Sequence, residues 1–187
     1  MLLSIKNMVC DRCILVVEQQ LRLHGLQVQQ ISLGEVVVSP EPSDEKLADI
    51  SSMLKVLGFE LIDREKDKLV EKIRNTIIEL IHHSSDAEQH VVFSEILSDR
   101  LHRDYGYLSR LFSENENLTI EKFIIQQKIE KVKELIQYGE LNLNEIAWRM
   151  GYSSSAHLSN QFKSVMGMSP RDFKVQGIND RKPLDKV

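Results

Sequence analysis

The sequence has no apolar run approaching the roughly 20 residues that a membrane-spanning helix needs. Its opening, Met1-Leu2-Leu3-Ser4-Ile5-Lys6, meets a lysine before the apolar stretch of a secretion signal can develop. Both absences point to a cytoplasmic protein with no membrane partner. Cysteine is scarce, with two in 187 residues, and in a reducing compartment such a pair is read as thiols before a structural disulfide. An excess of positive charge is also missing. The net charge is −4; residues 1–65 carry all of it, and residues 66–187 are neutral. A DNA-binding half is usually basic, because phosphate neutralisation supplies most non-specific affinity. A neutral half binds DNA only if its charges segregate by face. No Ser/His/Asp constellation, phosphate loop or three-ligand catalytic zinc pattern can be placed, so the chain does not read as an enzyme.

What the sequence does have is a periodicity that changes along the chain. A content of 42% hydrophobic and 28% charged residues suits one large or two small cores. Leu3, Ile5 and, after a break at Asn7, Met8 alternate with polar neighbours, as in a half-buried strand. From Asp11 the spacing turns helical through Ile14, Val17, Leu21 and Leu23, closed by Gly25. Leu26, Val28 and Ile31 suggest a strand, Leu33-Gly34-Glu35 a turn, and Val36-Val37-Val38 a returning strand. Ser43 is a suitable N-cap, followed by Asp44 and Glu45 where the helix dipole favours acids. Leu47, Ile50, Leu54 and Leu57 make the stripe of that helix, Gly58 closes it, and Phe59-Glu60-Leu61-Ile62 is a last strand. The order is βαββαβ, a ferredoxin-like layout over residues 1–63.

The first strand-to-helix junction holds Met8-Val9-Cys10-Asp11-Arg12-Cys13, an M-x-C-x-x-C pattern. Two cysteines three apart at the start of a helix can turn both sulfurs to one ion. The helix N-terminus favours the thiolate form. Soft thiolates suit Cu(I), and also Zn²⁺ or another thiophilic metal ion. Two ligands leave a site open, which fits transfer or sensing better than structural locking. The bland alternative treats Cys10 and Cys13 as small apolar fillers. A thioredoxin-like redox role conflicts with the order of elements. With the motif in this place, and with Gly58-Phe59 near its end, the segment resembles the heavy-metal-associated domain of copper chaperones and metal-pumping ATPases. That resemblance implies metal binding at Cys10 and Cys13, with Met8 packed beneath the loop. The glycine that often precedes the methionine is Asn7 here.

Residues 64–89 read as a connector. A charge run from Asp63 to Lys68 leads into Leu69, Ile73, Ile77 and Leu80-Ile81 at helical spacing, predicting a helix from about Lys66 to His83. His82-His83-Ser84-Ser85-Asp86-Ala87 then reads as a loop. His82, His83 and His90 could be metal ligands, but polar residues at a helix end and loop are the simpler reading.

Residues 90–175 read as all-helical. Ile96, Leu97 and Leu101 give a first helix. Asp104 caps a second, with Leu108, Leu111 and Phe112 inward. Thr119 caps a long helix from Ile120 to Tyr138, packed by Phe123, Ile124, Gln127, Val132, Leu135 and Ile136. Asn142 and Glu145 form a capping box, and Gly151 permits a tight turn. A helix from Ser154 to Met166 turns Leu158, Phe162 and Val165 inward. Gly167 stops it, and Ser169-Pro170 starts a final turn. Residues 176–187 read as a flexible tail.

Ile146-Ala147, Gly151-Tyr152, Leu158, Phe162-Lys163, Gly167, Ser169-Pro170 and Phe173-Lys174 together resemble the signature of AraC-family transcription regulators. Tyr107-Leu108-Ser109-Arg110-Leu111-Phe112 matches the end of that family's first unit. The resemblance implies a double helix-turn-helix whose two recognition helices enter successive major-groove faces about 34 Å apart. It places Gly106, Ser109 and Arg110, then Ser155, Ala156, Ser159, Asn160 and Lys163, toward double-stranded promoter DNA. Asn160, which stands where the family commonly has arginine, could pair with adenine and Arg110 with guanine, while Ser159 and Lys163 would hold phosphates. Gly106 and Ala156 have no polar side chain for reading bases. His102 replaces the first turn glycine and suggests a less regular first unit.

The whole chain therefore reads as an AraC-type DNA-binding transcription regulator modulated by a thiophilic ion at Cys10 and Cys13. The alternative is a metal-binding, chaperone-like module whose helical domain binds a protein partner. Homodimerisation and a metal-transfer partner are compatible with either.

Overall fold

The computed structural model describes residues 1–62, 64–83, 92–177 and 181–186, the last without its side chain. It divides into two compact units, Met1–Thr76 and Ile77–Val187.

The first unit begins β1 (Leu2–Lys6), α1 (Asp11–Leu23), β2 (Gln27–Ser32), β3 (Glu35–Ser39), α2 (Asp44–Val56) and β4 (Glu60–Ile62), in the order expected. Its sheet runs β2-β3-β1-β4 with every neighbouring pair antiparallel. Alternation sends Leu3 and Ile5 of β1 and Val36 and Val38 of β3 into one core with Val17, Leu21, Ile50, Leu54 and Phe59. Leu23 and Leu57, expected in the helical stripes, are exposed. Leu23 stands only two residues past Leu21, which turns it about 200° round the helix, and Leu57 has already left α2 as its C-cap.

The connector differs from its reading. The helix α3 (Glu65–Ile78) continues directly into a π-helical turn, Glu79–His83, so His82 and His83 are still helical. The boundary between the two units falls inside α3. Its first part is tied to the sheet domain at three points. Glu71 accepts the Asn7 backbone N–H at 2.9 Å, Lys72 pairs with Glu35 at 2.8 Å, and Asn75 lies so close to Gly34 that a Cβ there would stand 2.5 Å from its amide nitrogen. The expected loop from Ser84 to Ala87, and His90, lie outside the described residues.

The second unit contains α4 (Phe93–Leu101), α5 (Tyr105–Glu116), α6 (Ile120–Tyr138), α7 (Leu143–Arg149), α8 (Ser155–Met166) and α9 (Pro170–Gln176). The caps Asp104, Thr119, Asn142 with Glu145, and Ser169 are those the sequence specifies, and Ser154, expected as the first residue of its helix, is the N-cap of α8. The α6 helix passes through the middle, with Phe123 against Phe112 (ring centroids 5.5 Å apart) and Ile129, Val132 and Ile136 in the core that holds Phe162 and Phe173. Val165 is exposed, not inward; Met166, one position on, packs against the core in its place. The tail is also not loose throughout, because residues 181–184 hydrogen-bond along α6.

Candidate nucleic-acid interface and thiol pair

Cys10 is the extended N-cap of α1, and its carbonyl accepts the Cys13 N–H at 2.9 Å. One turn of helix thus brings the two sulfurs to 3.5 Å. Both cysteines are free and half-buried, and Met8 lies fully buried beneath them. Asn7 takes φ 72°, a left-handed conformation in which glycine and then asparagine are the least strained residues. Its side-chain amide donates to the Gly58 carbonyl at 2.9 Å. Asparagine therefore supplies both the loop conformation and a tie between the motif and the end of α2.

Burial pushes the Cys10 thiol up, but hydrogen bonds from Cys13 and Arg12 outweigh it and leave the thiol below its ordinary value. Burial, and then the neighbouring Cys10, raise Cys13. This asymmetry makes Cys10 the first to ionise. With metal–thiolate bonds of about 2.3 Å, sulfurs 3.5 Å apart meet an ion as a bent pair, whereas a linear pair needs about 4.6 Å. The donors and their spacing therefore fit a thiophilic ion with further coordination positions open. Among the described residues no group of three or more His, Cys, Asp or Glu could hold a metal.

In the second unit, α4 and α5 form one helix-turn-helix and α7 and α8 another. They are joined by α6, whose 19 residues span about 28 Å. The first turn places His102 at φ 51°, ψ 43°, so it closes in the left-handed conformation without glycine. The second places Gly151 at φ 72°. At the start of α5, Asp104 accepts the Tyr107 N–H at 3.1 Å, and Tyr105 donates to Glu121 of α6 at 2.7 Å. That bond holds the Glu121 carboxyl below its ordinary value. At the start of α8, Ser154 accepts the His157 N–H at 3.1 Å, and Tyr152 donates to Gln161 at 2.6 Å.

Arg110, Asn160 and Lys163 are exposed, as a reading surface requires. Ser109, Ser155 and Ser159 are half-buried. The Ser159 hydroxyl donates to the Ser155 carbonyl at 2.8 Å. Its one proton is thus used inside the helix, and a phosphate, which only accepts, needs that proton.

Two residues escaped the sequence reading. His157 is exposed on α8, with its Nδ1 3.1 Å from the Ser153 hydroxyl and its ring edge-on to Tyr152, centroids 5.4 Å apart. Its spacing from Asn160 and Ser164 is helical and could have revealed it. Lys128 of α6 donates to the Met150 carbonyl at 2.9 Å, and its ammonium lies 5.8 Å from the Phe93 ring centroid and 5.4 Å from that of Tyr152. One cation on the linker helix therefore touches both helix-turn-helix units, and burial lowers its pKa.

The family model described as "Helix-turn-helix domain" matches residues 97–176, which covers α5 to α9 and most of α4. Residues 97–176 therefore carry a helix-turn-helix domain. Similar proteins carry the same kind of name. The Msm operon regulatory protein of Streptococcus mutans is 24% identical over 158 residues, covering 81% of this chain and 56% of its own length. The transcriptional activator RhaS of Escherichia fergusonii is 24% identical over 159 residues, covering 83% and 54%. This chain spans about half the length of these relatives. Among solved structures, the C-terminal domain of the response regulator AraT from Geobacillus stearothermophilus superposes with a TM-score of 0.51 at 26% identity, covering 60% of this chain and 88% of that one. The relatives named here are described as regulators, not as enzymes. None of the described helices is long and apolar enough to cross a membrane.

Proposed function

We propose that this chain is a DNA-binding transcription regulator of AraC type. On this reading its N-terminal ferredoxin-like domain, of heavy-metal-associated kind, binds a thiophilic ion through Cys10 and Cys13 and so changes DNA affinity. The observation that carries the regulator reading is the pair of capped, surface-facing recognition helices α5 and α8 joined by the 19-residue α6. Helices so joined can enter successive major grooves. Arg110 and Asn160 would contact base edges, and Lys163 and the exposed His157 would hold phosphate. The metal reading is supported by the free sulfurs at 3.5 Å, held at a helix N-terminus with Cys10 the readier to ionise. Cu(I) or Zn²⁺ are the ions to try first, because thiolates suit them.

A second reading, in which the helical domain docks a protein, draws on α5 and its cap, where Asp104, Glu114 and Glu116 outnumber Arg110. One experiment separates the two. Purified protein is titrated onto its own promoter region across a salt series, with and without Cu(I) under reducing conditions. Salt-dependent specific binding that shifts with metal, and stops shifting in Cys10→Ser/Cys13→Ser, is the expected result. Binding indifferent to metal removes the sensor and keeps the regulator. No specific binding in either state removes the regulator and leaves the protein-docking module.

A further inference from the structure

Gln127 of α6 is polar yet fully buried, and both ends of its amide are used. The nitrogen donates to the Leu184 carbonyl at 3.1 Å, and the oxygen lies 2.9 Å from Nε2 of His82. A carbonyl only accepts, so Leu184 decides which end of the amide is nitrogen. The oxygen end in turn only accepts, so His82 must carry its proton on Nε2. A tail residue thereby fixes the tautomer of a histidine in the π-helical turn.

Two more anchors follow on the same face of α6, at the i+3 and i+7 positions. The Lys182 N–H donates to Glu130 Oε2 at 3.1 Å, while Lys133, fully buried, holds the other oxygen of Glu130 at 2.7 Å. Arg181 meets Glu134 Oε2 at 2.6 Å, with Lys131 on the other oxygen at 2.8 Å. The tail therefore runs antiparallel to α6, with residue 181 beside Glu134 and residue 184 beside Gln127.

We infer that residues 181–185 are a strap that holds the π-helical turn Glu79–His83 against the linker helix of the double helix-turn-helix. The strap supplies what the polar groups of α6 need: an acceptor for buried Gln127, a donor for buried Glu130 and a cation for half-buried Glu134. Buried polar groups are tolerated only when so partnered. Without the strap the Gln127 amide is free to turn over, and His82 loses its fixed acceptor. The π-helical turn, an uncommon geometry, then loses its tie to α6. Cleavage of the tail, or capture of it by a partner, would loosen the end of the connector helix while leaving the recognition helices folded.

Hydrogen exchange followed by mass spectrometry, on the full chain and on a chain ending at Gly177, tests this. The expected result is a rise on the order of tenfold in exchange across residues 79–83 and 127–134 of the shortened chain, with α8 and α9 unchanged. Arg181→Glu in the full chain gives an intermediate rise and Arg181→Lys almost none. If the shortened chain does not fold, these two variants carry the test. A second readout follows the imidazole resonances. The groups facing His82 are Lys131, Glu134 and His83, and in the full chain it stays neutral down to about pH 4. Burial is what lowers it, so in the shortened chain, where the loosened turn admits water to the ring, its pKa moves toward the ordinary value of about 6.5 despite the lost Gln127 bond. Unchanged exchange at residues 79–83 overturns the strap, and so does a uniform rise over the whole second unit. Neither readout involves DNA, so the strap can fail without the regulator reading failing, and the reverse.

Discussion

The turn between α4 and α5 uses His102 at φ 51°, and the turn between α7 and α8 uses Gly151 at φ 72°. Behind each stands the same arrangement: a fully buried phenylalanine on the recognition helix against a phenylalanine on the next helix. Phe112 and Phe123 are 5.5 Å apart, and Phe162 and Phe173 are 5.6 Å apart. The surfaces diverge where the cores agree. The recognition helix α5 is capped by Asp104 and carries Glu114 and Glu116 against Arg110; α8 is capped by Ser154, carries Lys163 and has no acid. A carboxylate at an N-cap stabilises its helix but occupies the place where a phosphate would bind. Packing, then, fixes the turn even without glycine, while the charge of the reading face is free to drift. On this comparison α8 carries more of any DNA affinity than α5.

The largest expected effect tests whether the cores are equivalent. Phe112→Ala and Phe162→Ala should each cost about 3–5 kcal/mol of stability, as large buried aromatics do. Denaturant unfolding followed by circular dichroism measures this, and a cost in one at least twice that in the other would break the parallel.

Next is acid. His82 has a folded-state pKa of about 4 against an ordinary 6.5. Between those values the unfolded chain takes a proton that the folded chain refuses. Stability is therefore complete above pH 7 and declines as pH falls from 6.5 to 4, by at most about 3 kcal/mol. His82 bonds to α6, which serves both helix-turn-helix units, so both should weaken together. Trp148, the single tryptophan, lies in α7 and reports the second unit by fluorescence. A fluorescence transition that departs from the circular-dichroism transition would show the units uncoupled.

Charge comes third. Asp104→Ser keeps a good cap and, together with Glu114→Gln, should tighten DNA binding about tenfold at low salt. Lys163→Ala should weaken binding to all sequences alike and lower the salt slope by about 1. If the Asp104 and Glu114 changes leave affinity unmoved, α5 does not approach the phosphates. The smallest effect belongs to the turns: His102→Gly should gain up to about 1 kcal/mol and Gly151→Ala lose a similar amount. Equal tolerance of both would mean that the second turn does not need its glycine.

Much of this was legible in the sequence, because local rules act locally. The start of α6 follows from Thr119 before it, and Cys10-x-x-Cys13 at a helix start can only bring its sulfurs near each other. What escaped was set by groups far apart in the chain. Nothing near residue 181 announces that Glu134 waits 47 positions away, so by its sequence a polar tail reads as loose. Nothing near Lys128 shows Phe93 and Tyr152 on either side of it. The αL turn at His102 is hidden for the same reason, since propensity speaks for glycine while the aromatic packing behind the turn overrules it. Val165 and Met166 compete for one inward place, and a spacing of three or four residues does not choose between them.

Two cysteines, adjacent in space and unaccompanied elsewhere in the chain, also give the molecule a single chemical handle. A reagent with two thiol-reactive arms can close across Cys10 and Cys13 at one locus, on the first turn of α1, without engineered residues. A dye or spin label attached by two bonds is held rigidly and tumbles with the sheet domain. It would report how that domain moves while the recognition helices, which contain no cysteine, remain unlabelled.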